Sequence, residues 1–292
     1  MSKDVAYLRQ MMHVGNFPRI ISRTDYLDTA RNSPEGIEML TYRAHALAAL
    51  HRDEEAVSTY DQIIELGGQT AQLYLDKSIL EITLGRFAEA RKSLRNLLLL
   101  EPHNIHALRN LIYVAESCHE WQEVLRLSEK SLAIEPDGID LLLARADAFR
   151  HLGQGQMSIK IAEQAMVHAE DEEDVSLIRT TLAWTYTSMK DWTGAEQELR
   201  SAIEAYDEFA DSHFLLGWAL AESGKAVTGL QAVERSFQLD PDNAYAYKVR
   251  AVILLKLGQR DRAIADLQRA KELDYRLDYD EEVDMLLQRF RK

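Results

Sequence analysis

Hydrophobic positions recur along this chain at helical spacing, three or four residues apart. The segment VLRLSEKSLAIEP, residues 124–136, places Val124, Leu127, Leu132 and Ile134 on compatible helical turns. A half-buried strand would alternate apolar and polar positions, and these segments do not. Thirteen glycines and five prolines are few for 292 residues, which favours long helices over many short strands. The pattern therefore predicts an all-α chain.

A fixed set of marks returns every 34 residues. In the segment LGRFAEARKSLRNLLLLEPHN, residues 84–104, these marks are a glycine, then an alanine, a leucine and a Glu-Pro pair. After residue 172 the 34-residue register shifts by three residues and then continues. Each unit is predicted to be a helix, a tight turn and a second helix that proline ends. The turn marks are Gly85, His119, Gly153, Lys190, Gly224 and Gly258, and the second-helix marks are Ala56, Ala90, Val124, Ser158, Ala195, Gly229 and Ala263.

These marks resemble those of the tetratricopeptide repeat family, in which a small residue also sits in the first helix. That position holds Ala44, Ser78, Ala146, Ala183, Gly217 and Ala251, with Ile112 as the exception. The resemblance covers nearly the whole chain. It implies one all-α domain, a right-handed superhelical solenoid of about eight helix-turn-helix units. The units are placed at 3–36 (the most degenerate), 37–70, 71–104, 105–138, 139–172, 176–209, 210–243 and 244–277.

Two segments depart from the repeat. Residues 278–292 place Val283, Leu286, Leu287 and Phe290 on one apolar stripe, which predicts a C-terminal capping helix, because an open stack needs a polar outer end. Partner docking is the alternative for that helix. Residues 170–174 are five consecutive acids, predicted to be a loop that favours the positive start of the next helix. A hinge at 170–176 or an acidic docking spot is the alternative.

Charge and composition exclude several function classes. The net charge is −14 and no cluster of lysine and arginine stands out, which disfavours a nucleic-acid partner. The longest aliphatic run, residues 97–100, is far too short to insert in a membrane, and the start of the chain does not read as a signal peptide. Cys118 is the only cysteine, which suits a reducing compartment. We therefore expect a cytoplasmic protein.

No catalytic constellation is recognisable. His103 and His106 lack neighbouring ligands for a metal, and Cys118 beside His119 is not a nucleophile–base pair, because adjacent helical residues do not face each other. No phosphate-binding glycine motif is present. The sequence therefore predicts no enzyme, no metal and no cofactor.

In the family, one face of each first helix lines the concave groove, so the resemblance implies a binding surface there. Trp184 and Trp218 hold the same position in successive units, so we expect them to stand near one another, either as exposed anchors or packed on neighbouring helices. Lys248 and Lys256 are expected to be solvated charges more than ligand contacts. The predicted partner-binding residues are Arg109, Asn110, Tyr113, Arg150, Trp184, Phe214, Trp218, Tyr245 and Lys248.

The leading functional hypothesis is a protein–protein interaction adaptor that binds a segment of a partner protein in this groove. The main alternative is a self-associating scaffold, or a chaperone, of a secretion- or pilus-type assembly, so a homo-oligomer stays possible. Binding of a C-terminal carboxylate by a cationic clamp, as in co-chaperone members of the family, is not expected, since Asp76 would repel it. An enzyme's regulatory subunit, a cryptic transferase and a DNA-binding peptide sensor rank lower.

Overall fold

A computed structural model describes residues 3–25, 33–273 and 279–290 of the chain. Over these ranges the regular elements are all α-helices, seventeen in number. Their bounds are α1 Lys3–His13, α2 Phe17–Thr24, α3 Pro34–Ala49, α4 Asp53–Glu65, α5 Ala71–Thr83, α6 Phe87–Leu100, α7 Ile105–Ser117, α8 Trp121–Leu132, α9 Ile139–His151, α10 Gly155–Met166, α11 Glu172–Ser188, α12 Trp192–Ala205, α13 Ala210–Glu222, α14 Ala226–Leu239, α15 Ala244–Lys256, α16 Arg260–Leu273 and α17 Tyr279–Phe290.

The helices α1 to α16 form eight helix-turn-helix pairs, and the sharp turn inside each pair uses one residue in the left-handed region of backbone conformation. Every turn mark named from the sequence has a positive φ. The predicted turns are therefore confirmed, including the two predicted at His119 and Lys190, which lack glycine. The turn residues, in chain order, are Gly15, His51, Gly85, His119, Gly153, Lys190, Gly224 and Gly258.

Side chains cap the N-termini of six helices in the described ranges, each accepting a hydrogen bond from a backbone amide that has no partner inside the helix. Asn104 accepts from the amide of Ala107, and Asn243 accepts from that of Ala246. These caps fix where the first helices of the fourth and eighth pairs begin. The other four capping residues are Ser33, Thr70, Asp171 and Asp191.

Small residues let the two helices of a pair cross closely, as the sequence predicted. The clearest case is α13 against α14, where a Cβ atom added to Gly217 would stand 2.7 Å from the carbonyl oxygen of Gly229. A Cβ on Gly229 would stand 2.5 Å from the carbonyl oxygen of Gly217. Neither backbone can give way to a side chain there, so both positions need glycine.

The chain forms two compact units, Met1–Ile134 and Glu135–Lys292. In the first unit, Val5, Leu8, Ile20 and Leu47 are fully buried in a cluster contributed by α1 to α4. In the second unit, the central cluster of α11 to α15 includes the fully buried Leu199, Leu215, Ala219, Val233 and Ile253.

The last helix, α17, packs on the final pair. Val283 and Leu287 are buried against Leu254 and Leu267, and Leu286 packs on the same cluster. This burial agrees with three of the four positions of the predicted apolar stripe. The fourth, Phe290, has a side chain that lies outside the described residues.

The acidic segment caps a helix. The Asp171 side chain accepts a hydrogen bond from the amide of Asp174, whose own carboxylate accepts one from the amide of Glu170. Within the second unit, α10 packs on α11 across this segment. The predicted loop is wrong for residues 172–174, because they form the first turn of α11. The prediction that the acids stand at the positive start of this helix is confirmed, and the hinge at 170–176 stays a prediction.

Candidate functional site

The first unit contributes three of the predicted partner-binding residues, all on α7. Arg109 and Asn110 are half-buried, and Tyr113 is 51% exposed. One repeat earlier, at the same position of α5, Ile79 is also exposed. The sequence analysis did not single out Ile79. The face that these two first helices share therefore carries apolar surface in contact with water.

The second unit holds an aromatic cluster built from three successive first helices. The ring of Trp184 on α11 meets Phe214 on α13 at a centroid distance of 5.9 Å and Tyr245 on α15 at 6.1 Å, both edge to face. Phe214 and Tyr245 are stacked, with centroids 6.1 Å apart. Such ring pairs add stability beyond their buried area. The repeat period places the three rings together, because each lies on the same face of its own helix.

Arg150 on α9 extends this cluster. Its guanidinium carbon lies 5.5 Å from the centre of the Trp184 ring, close enough for a cation–π contact. The same side chain donates from Nε to Asp147 at 3.0 Å and is mostly buried. The guanidinium of Arg150 therefore neutralises the Asp147 carboxylate and orients the Trp184 ring, and both contacts lie within the fold.

Beside the cluster a cleft of about 230 Å³ opens between α9, α11 and the start of α13. One wall carries Leu177, which keeps 40% of its surface exposed, and the indole of Trp184. Two carboxylates, from Asp147 and Asp211, also line it. We refer to this space as the cleft. Its remaining lining residues are Thr180, Thr181, Phe209 and Ala210.

Asp211 is the charged group of the cleft whose charge is least compensated. Its carboxylate accepts one long hydrogen bond, 3.4 Å from Asn243 Nδ2, and no cation in the described part of the chain pairs with it. The pKa of Asp211 is raised above its ordinary value, first because neighbouring groups displace water from it and also because Asp240 is near, while the Asn243 bond opposes the rise. The side chain still reaches solvent.

Two of the predicted binding residues are not available to a partner. Phe214 is 1% exposed, so the expectation that its ring forms groove surface is wrong. The Phe214 ring instead packs against the ring of Trp184. Lys248 is 8% exposed, with Nζ 5.9 Å from the centre of the Trp218 ring. The expectation of a solvated charge is therefore wrong for Lys248. Lys256 forms an ion pair with Glu222 at 3.1 Å.

The two tryptophans of successive first helices have different ring neighbours. Trp184 meets Phe214 and Tyr245, whereas Trp218 packs on Trp192 at 6.0 Å. Trp192 begins α12, and its ring contacts the following helix pair through Trp218. Both indoles are half-buried. Trp184 packs on its aromatic neighbours and also lines the cleft, and its role as a binding anchor stays a prediction.

Of the eight residues that line the cleft, Trp184 alone is among the predicted partner-binding residues, and Phe209 is one of those that the sequence did not indicate. It stands one residue before α13, in extended conformation, so it lies outside the helical spacing used to find the face. Its ring meets Tyr206 at 5.2 Å. An aromatic residue directly before a first helix is the signal that would have found it.

The described residues hold no group of three or more histidine, cysteine or acidic side chains arranged to bind a metal. None of the helices over those same ranges has the length and apolar character needed to cross a bilayer. What the cleft offers is apolar walls, hydroxyl groups and carboxylates, which suit recognition of a side chain.

Comparison with known proteins supports the repeat architecture. A family model described as tetratricopeptide repeat matches residues 225–275. A solved tetratricopeptide repeat protein from Parabacteroides merdae superimposes with a TM-score of 0.78, covering 88% of this chain and 100% of that one at 16% identity. This likeness concerns the fold.

Curated relatives are distant and longer. Protein CTR9 homolog of Arabidopsis thaliana is 24% identical over 258 residues, which cover 86% of this chain and 23% of that protein. The mitochondrial import receptor subunit TOM70 of Rattus norvegicus is 21% identical over 269 residues, 84% of this chain and 42% of that protein. The chain thus spans less than half the length of both relatives.

Proposed function

Because this chain is a tetratricopeptide repeat protein, we propose that it acts as an adaptor, binding a segment of a partner protein along the face formed by its first helices. In the second unit the partner would contact α9, α11 and α13. Helical grooves that bind protein segments use a few apolar anchors with polar groups around them. Leu177 and Trp184, with Asp147, Asp211 and Thr181 around them, match that composition.

The observation that carries the proposal is the size and lining of the cleft. Pockets for cofactors and small molecules enclose roughly 300 to 1,000 Å³. The cleft holds about 230 Å³ and is open to solvent along α11, so it suits one inserted side chain of a longer ligand. An exposed leucine beside a half-buried tryptophan provides the apolar contact that such a side chain needs.

The relatives are consistent with a partner-binding role. One of them is named a receptor subunit, and it matches this chain over most of the chain's length. Catalysis forms no part of the proposal. We place the adaptor in the cytoplasm, since its single cysteine suits a reducing compartment.

The test is co-purification with a matched pair of variants. Leu177→Gln removes apolar surface inside the cleft, and Val167→Gln removes it at an exposed position at the end of α10, outside the cleft. Each full-length protein is isolated from its native cells and its bound proteins are identified by mass spectrometry. We expect Leu177→Gln to lose a partner that the wild type and Val167→Gln retain.

Circular dichroism of each variant confirms that the helices are intact before the comparison is made. Trp184→Ala should lose the same partner, because Trp184 lines the same cleft. A partner set that is identical in wild type, Leu177→Gln and Trp184→Ala would contradict the proposal. Self-association, the alternative function, stays a prediction, and light scattering at several concentrations tests it, since a self-associating scaffold would gain mass as concentration rises.

A further inference from the structure

We propose that the cleft receives a lysine or arginine side chain of the partner, with Asp211 binding its cation and Leu177 and Trp184 packing along its aliphatic stem. This inference rests on the proposed function and adds the chemistry of the ligand. It follows from the lining of the cleft and from the pairing of its charges.

The apolar walls match the stem of a basic side chain. Lysine and arginine bury their methylene groups on apolar surface while the charged end keeps polar contacts. Leu177 and the indole of Trp184 supply such surface, and the cleft volume of about 230 Å³ is that of a space for one long side chain. Arg150, 5.5 Å from the centre of the Trp184 ring, shows that this indole already accepts a guanidinium from within the fold.

The charges of the cleft select a cation. Of its two carboxylates, Asp147 is neutralised by Arg150 at 3.0 Å. Asp211 accepts the long bond from Asn243 at 3.4 Å, and among the described residues no ion pair neutralises its carboxylate. A carboxylate in that position gains from a cation that brings its own hydrogen bonds. An incoming lysine or arginine would provide that cation.

The same charges disfavour an acidic ligand. A glutamate or a C-terminal carboxylate in the cleft would face Asp147 and Asp211 at short range, and Arg150 is already paired with Asp147. Like charges brought together at short range repel each other. The expected motif is therefore a basic residue next to an apolar one.

The test selects short random peptides displayed on phage against the full-length protein at physiological salt. Four proteins are compared: the wild type, Trp184→Ala, Asp211→Asn, and Glu204→Gln, which removes one negative charge from the exposed side of α12. We expect the wild type and Glu204→Gln to select peptides with lysine or arginine at one fixed position. For those peptides, Asp211→Asn should bind about tenfold more weakly.

The possible outcomes separate this inference from the proposed function. If peptides are selected and depend on Trp184 but carry no basic preference, or bind Asp211→Asn as well as wild type, the inference is wrong and the groove proposal stands. If Glu204→Gln weakens binding as much as Asp211→Asn does, the effect is one of net charge and the inference is again wrong. If no peptide depends on Trp184, both fail. An Asp211→Lys variant that turns the selection toward acidic peptides would give independent support.

Discussion

One backbone conformation recurs at the turn of all eight helix pairs, and it fixes the spacing of the repeat. A residue with positive φ reverses the chain between the two helices of each pair. Side chains disfavour this conformation by about 1 kcal/mol or more, and glycine does not. Glycine occupies five of these eight turns, at Gly15, Gly85, Gly153, Gly224 and Gly258, and the other three hold His51, His119 and Lys190.

The first prediction concerns these turns. Gly85→Ala places a methyl group at a φ of +70° and should lower the free energy of unfolding by about 1 kcal/mol. Lys190→Ala is the matched control, because it exchanges one side chain for another at a φ of +60°, and should change stability by less than about 0.5 kcal/mol. Urea denaturation followed by circular dichroism measures both. Equal losses would contradict the conformational argument.

The second prediction concerns pH. Burial lowers the pKa of His213 below its ordinary value of 6.5, and nearby Arg235 lowers it further, while the hydrogen bond from Nε2 to the Asp207 carbonyl opposes the shift. The neutral imidazole is thus favoured by folding. Its contribution to stability is present above pH 6.5 and is lost as the pH falls through the interval down to the folded-state pKa.

We therefore expect the free energy of unfolding of wild type to fall between about pH 7.5 and pH 5 more steeply than that of His213→Gln. Glutamine can donate a hydrogen bond to the same carbonyl and does not titrate. Urea denaturation at a series of pH values gives both slopes. Parallel slopes would mean that His213 carries no pH dependence.

At the residue scale, sequence predicts positions set by the backbone better than it predicts exposure. The turn residues follow from the period, since each must reverse the chain at the same offset. Phe214 and Lys248 were expected on open surface, but both are buried, because aromatic neighbours from adjacent first helices close over them. Such closure depends on contacts between repeats, which the helical spacing of a single repeat does not contain.

At the scale of elements, each helix pair exposes an apolar side that the next helix must cover. The final pair is covered by α17, where Val283 and Leu287 are buried against α15 and α16. The apolar stripe in the sequence was enough to predict this helix and its buried side. The position of Phe209 beside the cleft could not be predicted in the same way, because residues before a helix have no helical periodicity.

The third prediction tests the closing role of α17. Leu287→Ala opens a cavity in a buried cluster and should lower the free energy of unfolding by about 2 to 3 kcal/mol. Met285→Ala, at a position of the same helix that is 63% exposed, should change it by less than about 0.5 kcal/mol. Urea denaturation of the full chain distinguishes the two. Similar small effects from both variants would show that α17 contributes little to stability.

At the scale of the whole molecule, the sequence predicted an all-α repeat architecture because successive repeats follow the same packing pattern with small variations. It predicted the surface that we propose for binding only in outline. The acidic and apolar lining of the cleft involves Asp147, Leu177 and Asp211, which occupy equivalent faces of different repeats. A single repeat therefore cannot show them as one site, and the structure was needed to bring them together.

The net charge of −14 is a property of the whole chain that bears on binding. It favours basic partners at long range, and this attraction weakens as salt screens it. A contact made inside the cleft should be less sensitive to salt than this general attraction.

Site-specific photo-crosslinking tests whether a partner contacts the first-helix face of the second unit. A photoreactive phenylalanine analogue is placed at Leu177, in the cleft, or at Val227, an exposed apolar position on the second helix α14. We predict that the partner that co-purifies with wild type is crosslinked from position 177 and not from position 227. Crosslinking from position 227, with none from position 177, would contradict the account.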